Sequence, residues 1–189
     1  MTGVKVDQLE HYDPYVNQGG ASTAWVMLQT STSPIKWAQT GWVKDYYNGR
    51  RNYAQWINQN GVDETFYDPN PPKPVGQFSK YEVLYLLNSF FFNVDGVQIL
   101  SPPPVATFVP TRATIAGEVT NLASQMPGGY SSIPAHEWIY TARYMGSSGT
   151  WKAFNGQRYW MPLNAVQYFE VYDWLNWFDI DIWDKACPN

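Results

Sequence analysis

TAWVMLQTSTSPIKWAQTGWVKDYYNGRRNYAQWIN, residues 23–58, decides the fold. Three strand-like runs, ASTAWVMLQ, KWAQTGWV and NYAQWIN, are separated by TSTSP and DYYNGR, both rich in turn-forming residues. Successive side chains of a strand point to opposite faces, so Trp37, Gln39 and Gly41 share one face and Ala38, Thr40 and Trp42 the other. The second set suits a core. Gln39 therefore belongs to the outward face, between two tryptophans.

The same period continues along the chain. KYEVLYLL, SFFFNVDGVQIL, ATIAGEVTNL, HEWIYTARYM and TWKAFNG read as further short strands, and VDG within the second is a tight-hairpin signal. YDPNPPKPVG, SPPPV, MPGGYSS and GSSG connect them, and most of the 14 prolines sit in such connections, where a missing N–H costs no ladder bond. Asp68-Pro69-Asn70-Pro71-Pro72-Lys73-Pro74 reads as a stiff, extended connection, and the glycine pair in 125–132 suits a mobile flap or a plain loop. Strands and turns without interleaved helices indicate an all-β protein, a single antiparallel β-sandwich over residues 1–189. Residues 158–189 read as a C-terminal appendage, in which AVQYFEVYDWLNWF has the pattern of a short amphipathic helix and FDIDIW that of a closing strand.

Composition removes several classes of function. The chain is 44% hydrophobic, 17% aromatic and only 15% charged, which excludes disorder and favours a β-rich fold. A net charge of −4 argues against a nucleic-acid partner. No apolar run is long enough for a membrane span, and MTGVKVDQLEHYDPY lacks the apolar segment of a signal peptide. Cys187 stands alone, so no internal disulfide forms. With two histidines, His11 and His136, a His-rich metal site is not expected, and HEWIY is not HExxH. GxSxG, GxGxxG and P-loop motifs are missing, and no cofactor is expected.

Carboxylate and amide chemistry remains. Ala24-Trp25-Val26, then Gln39-Thr40-Gly41, then Asn52-Tyr53-Ala54-Gln55-Trp56 resemble, without a gap from Trp25 to Gln55, the pattern of the eqolisin family of glutamic peptidases. The resemblance covers about 23–58 closely and 80–155 loosely. It implies a concanavalin-like sandwich, a secreted acid endopeptidase and a polypeptide substrate. It also implies a catalytic dyad, Gln39 with a glutamate that falls at Glu118 in Arg112-Ala113-Thr114-Ile115-Ala116-Gly117-Glu118. One glutamate acts as base for water and then as acid for the leaving nitrogen, while a neutral amide steadies the oxyanion without holding the acid ionised. Trp25, Gln29, Trp37, Tyr53 and Gln55 are the substrate-binding residues so implied. Gln29 and Gln55 stand where the family carries Asp and Glu, and Tyr53 where it carries Trp.

Two other readings come from the residues themselves. Ten tryptophans and 14 tyrosines suit stacking platforms for sugar rings, which makes a glycan-binding module the alternative. Asp179-Ile180-Asp181 puts two acids on one strand face, as a glycosidase or a calcium site requires, although a solvated acidic edge has the same pattern.

Overall fold

The alternation seen in the sequence carries through 13 strands of the computed structural model, whose described residues are 1–9, 13–120, 137–154, 169–173 and 180–184. The strands are β1 (Gly3–Leu9), β2 (Ala21–Gln29), β3 (Trp37–Asp45), β4 (Gly49–Ile57), β5 (Asp63–Tyr67), β6 (Phe78–Leu86) and β7 (Ser89–Val94). They continue as β8 (Val97–Gln98), β9 (Arg112–Val119), β10 (Glu137–Met145), β11 (Trp151–Ala153), β12 (Phe169–Asp173) and β13 (Ile180–Asp184). Among the described residues there is no helix.

Two antiparallel sheets form. The larger has eight strands in the order β12-β13-β10-β1-β6-β7-β8, with β11 also on β10; the smaller has five, β5-β4-β3-β2-β9. They pack face to face through β1 and β6 against β2, and through β6 and β7 against β3. The chain is an all-β sandwich.

Between the sheets lies the core that the period-two reading called for. Ala24, Val26, Leu28, Ala38, Trp42, Ala54 and Trp56 of the smaller sheet meet Val4, Val6, Tyr81, Val83, Phe90, Phe92 and Val94 of the larger. Thr40 is the polar member of the inward β3 face, and its hydroxyl donates to the Tyr53 carbonyl at 2.6 Å. The buried Tyr81 hydroxyl donates to Asn52 Oδ1 at 2.8 Å, so this phenol also enters the core with a partner.

Turn chemistry sets the register. Asp95 and Gly96 have φ of 52° and 81°, the positive pair that a two-residue hairpin with the twist of its strands requires. β7 and β8 pair across it, as VDG suggested. Leu87 and Asn88 make the equivalent turn between β6 and β7, again with positive φ.

The C-terminal expectation needs correction. Phe169–Asp173, inside the segment read as a helix, is strand β12, paired with β13 along its whole length. Only Phe169-Glu170-Val171 alternates apolar and acidic residues, and it is the partner strand that carries all five residues into a ladder. β13 pairs with β10, so this part of 158–189 is built into the larger sheet. Two strands, β1 and β5, were not expected from the sequence. His11, His136, Asp179, Cys187, the loop 125–132 and Trp174–Trp177 lie outside the described residues.

Candidate functional site

The face of the smaller sheet turned away from the core carries all seven residues of the implied dyad and substrate-binding set: Gln39, Glu118, Trp25, Gln29, Trp37, Tyr53 and Gln55. Pairing registers place them in rows across the strands. Thr114, Met27, Gln39, Gln55 and Thr65 form one row, and Ala116, Trp25, Gly41, Tyr53 and Tyr67 the next. Glu118, Thr23, Val43 and Arg51 follow, and at the other end Gln29 stands beside Trp37 and Arg112.

Trp25, Met27 and Tyr53 make a small apolar centre, with Trp37, Val43 and Ala116 packed around it. Gly41 is what lets the centre close. A Cβ there would fall 1.9 Å from the Ala24 carbonyl oxygen and 2.7 Å from Trp25 Cα, far inside contact distance. The bare backbone leaves room for Trp25 on one neighbouring strand and Tyr53 on the other. From β4 the Tyr53 hydroxyl reaches Thr23 on β2, 3.3 Å from its Oγ1, which also donates to the Trp42 carbonyl at 2.6 Å. Burial holds the Tyr53 phenol well above the usual tyrosine range; the hydrogen bond with Thr23 opposes this, and the charges of Glu118 and Tyr67 add to it.

Polar groups surround this centre in separate sets. Gln39 Nε2 donates to Gln55 Oε1 at 2.8 Å, and Gln55 Nε2 donates to Asp63 Oδ2 at 3.2 Å. Two amides thus run head to tail and end on a carboxylate. On the other side the Trp25 indole N–H donates to Glu118 Oε2 at 3.2 Å. Gln29, buried, donates from Nε2 to Thr114 Oγ1 at 2.7 Å. Arg51 lies 3.9 Å from the Tyr67 ring centroid and pairs with Asp45. Burial raises the Asp45 carboxyl, but the Asn48 side chain, the N–H groups of Tyr47 and Asn48, and Arg51 together outweigh it and hold the group below its usual range.

Gln39 and Glu118 share this face without approaching one another. Thr114, not Glu118, stands level with Gln39 through Met27. Glu118 is two strands across and four residues along, so the two Cα atoms are roughly 16 Å apart at the usual strand spacing and rise. The apolar centre lies between the two side chains. Gln55 does meet Gln39, whereas Gln29 and Gln55 are both remote from Glu118 along the strands. Neither position where the family carries an acid adjoins Glu118.

Asp63, Thr65, Tyr67 and Thr114 also belong to this face and were not singled out beforehand. The available signal was Thr65-Phe66-Tyr67, a β-favouring triplet. Among the described residues, no three His, Cys, Asp or Glu side chains gather to hold a metal ion. No family model matches the chain, and no curated protein matches it.

Proposed function

We propose that the outer face of the five-stranded sheet binds an extended polypeptide, the substrate class implied by the resemblance to eqolisin glutamic peptidases. The amide chain Gln39–Gln55–Asp63 carries this reading. A side-chain amide offers the same donor and acceptor as a peptide group, and Gln39 Oε1 has no protein partner among the described residues. A peptide N–H donates to that oxygen while the second N–H of the Gln39 amide meets a peptide carbonyl. Thr65 and Glu118, both exposed, provide further polar contacts at either side. The same resemblance implies a concanavalin-like form of sandwich and a secreted protein.

The glycan alternative asks for open aromatic faces. Trp25 and Tyr53 keep only 9% and 4% of their surface exposed, Trp42 and Trp56 face the core, and Tyr67, 44% exposed on this face, has its ring under Arg51 at 3.9 Å, which favours the polypeptide reading. Hydrolysis needs the base, the oxyanion donor and the acid at one bond. Groups roughly 16 Å apart flank about five residues of an extended chain, so Gln39 and Glu118 suit two ends of a bound segment better than one scissile bond.

Fluorescence anisotropy with a panel of labelled, unstructured peptides tests this reading, beside incubation with denatured protein at acid pH. Gln39→Ala is expected to weaken peptide binding about tenfold, a loss of ~1.4 kcal/mol, with the thermal midpoint unchanged. Acid proteolysis abolished by Gln39→Ala and by Glu118→Gln alike would overturn the binding-only form and establish the dyad. A tryptophan fluorescence change with soluble glycan, and none with peptide, would install the carbohydrate reading.

A further inference from the structure

β5 closes one side of the smaller sheet, and its backbone polarity can be read from two hydrogen bonds that flank it. Asp68 N–H donates to the Asn52 carbonyl at 2.9 Å, and Asn58 N–H donates to the Val62 carbonyl at 2.8 Å. Both pairs fit the register in which Ala54 faces Phe66 and Trp56 faces Glu64. In an antiparallel ladder hydrogen-bonded and non-bonded pairs alternate, so the even-numbered residues of β5 turn their N–H and C=O groups to β4. Those of Asp63, Thr65 and Tyr67 point the other way. Among the described residues no strand pairs with that side.

Edges of this kind are templates for another chain unless something blocks them. Here there is no proline in the strand and no bulge in its pairing, and four of its five side chains are exposed. What the edge does carry is negative charge. Asp63 accepts from Gln55 at 3.2 Å and Glu64 accepts from Asn58 at 2.6 Å, both neutral amides. Among the described residues neither acid has a cationic partner, and the nearby Arg51 is engaged with Asp45 and Tyr67.

We infer that the open edge of β5 accepts an extended, lysine- or arginine-bearing polypeptide segment as an added antiparallel strand. Backbone bonds to Asp63, Thr65 and Tyr67 hold the segment, and two consecutive cations opposite Glu64 and Asp63 select it. Consecutive residues of a strand point to opposite faces, so one cation meets Asp63 on the outer face and the other meets Glu64 on the core side. Repulsion between the acids and an unselected acidic segment provides the discrimination. This inference shares Asp63 with the outer-face reading but is carried by the backbone of β5, which that reading does not use.

The probe is a capped Val-Thr-Val-Lys-Lys peptide, whose antiparallel register sets the two lysines against Glu64 and Asp63 and the central valine against Thr65. Binding to the whole chain is followed by anisotropy and by amide hydrogen exchange. Exchange at Thr65 N–H is expected to slow at least tenfold on saturation, and raised salt is expected to weaken binding. N-methylation of the central valine removes the N–H that faces Thr65 and is expected to weaken binding at least tenfold. The same modification on the threonine faces solvent and is expected to leave binding unchanged. Asp63→Asn with Glu64→Gln is expected to remove most of the salt dependence. Equal binding by the two N-methylated peptides, or unchanged exchange at Thr65, would overturn the inference whatever becomes of the outer-face reading.

Discussion

Gly41→Ala is a small substitution with a large expected effect. The added Cβ would meet the Ala24 carbonyl oxygen at 1.9 Å, against an ordinary contact limit of 3.4 Å. Both the oxygen and Trp25 Cα belong to backbone, so no side-chain rotation relieves the clash. β2 and β3 must separate by about 1.5 Å at their middle, enough to break hydrogen bonds in the ladder on either side. Losing two or three such bonds, at about 1 kcal/mol each, together with the disturbed seat of Trp25 and Tyr53, gives roughly 3–5 kcal/mol. The loss of backbone freedom in the unfolded chain returns at most about 1 kcal/mol. For a chain of this size each kcal/mol moves Tm by about 2–4 °C, so the midpoint should fall by roughly 4–16 °C after that offset. Thermal melts followed by tryptophan fluorescence measure it directly. A variant as stable as the parent would mean that β2 and β3 do not approach as described, and the account of the apolar centre would fail with it.

Two further perturbations separate electrostatics from packing. Asp45 is held below the ordinary aspartate value of 3.8, so it contributes stability that is present above that value and lost as pH falls through the lower folded-state value. Asp45→Asn should therefore be less stable than the parent at neutral pH, with the gap closing below about pH 4 in a series of urea melts; a gap constant with pH would assign the effect to shape alone. Gln55→Glu places a carboxylate between the Gln39 amide and Asp63, whose oxygen lies 3.2 Å from the present Gln55 Nε2. Repulsion should cost about 1 kcal/mol at pH 7 and fade under acid conditions as the pair takes up a proton. The opposite trend would show that Gln55 and Asp63 do not meet.

Much of the sandwich could be read from local pattern. β2 begins and ends where ASTAWVMLQ does, and the inward Ala38, Thr40 and Trp42 follow from parity alone. Asp95-Gly96 was legible because a two-residue hairpin demands positive φ. β5 was hidden by Asp63 and Glu64, which strands disfavour, and which only a neighbour such as β4 makes acceptable at an edge. The helix expected around Phe169–Asp173 failed because a short segment of mixed period takes its structure from its partner. The dyad shows a different limit. Parity assigns Gln39 and Glu118 to one face, but which residue stands opposite which depends on connections distant in sequence. Here those connections bring Thr114, rather than Glu118, level with Gln39. A family pattern gives residue types and spacing; it does not give register.

β1 lies between β6 and β10 in the larger sheet, with Val4 opposite Val83 on one side and Tyr144 on the other. The strand of this sandwich that is made first is thus among the last to find both neighbours. β2 to β5 can zip by successive hairpins as they emerge, and β6 to β8 can do the same, since each partner is near in sequence. β1 must wait for β6, and then for β10, whose Tyr144 is 140 residues beyond Val4, before its second edge is covered. Loop closure over such spans makes folding slow, and it leaves the second edge of β1 uncovered until Glu137–Met145 has been made. That interval is when a chaperone would have most to hold, and when β1 of one chain could occupy the slot of another.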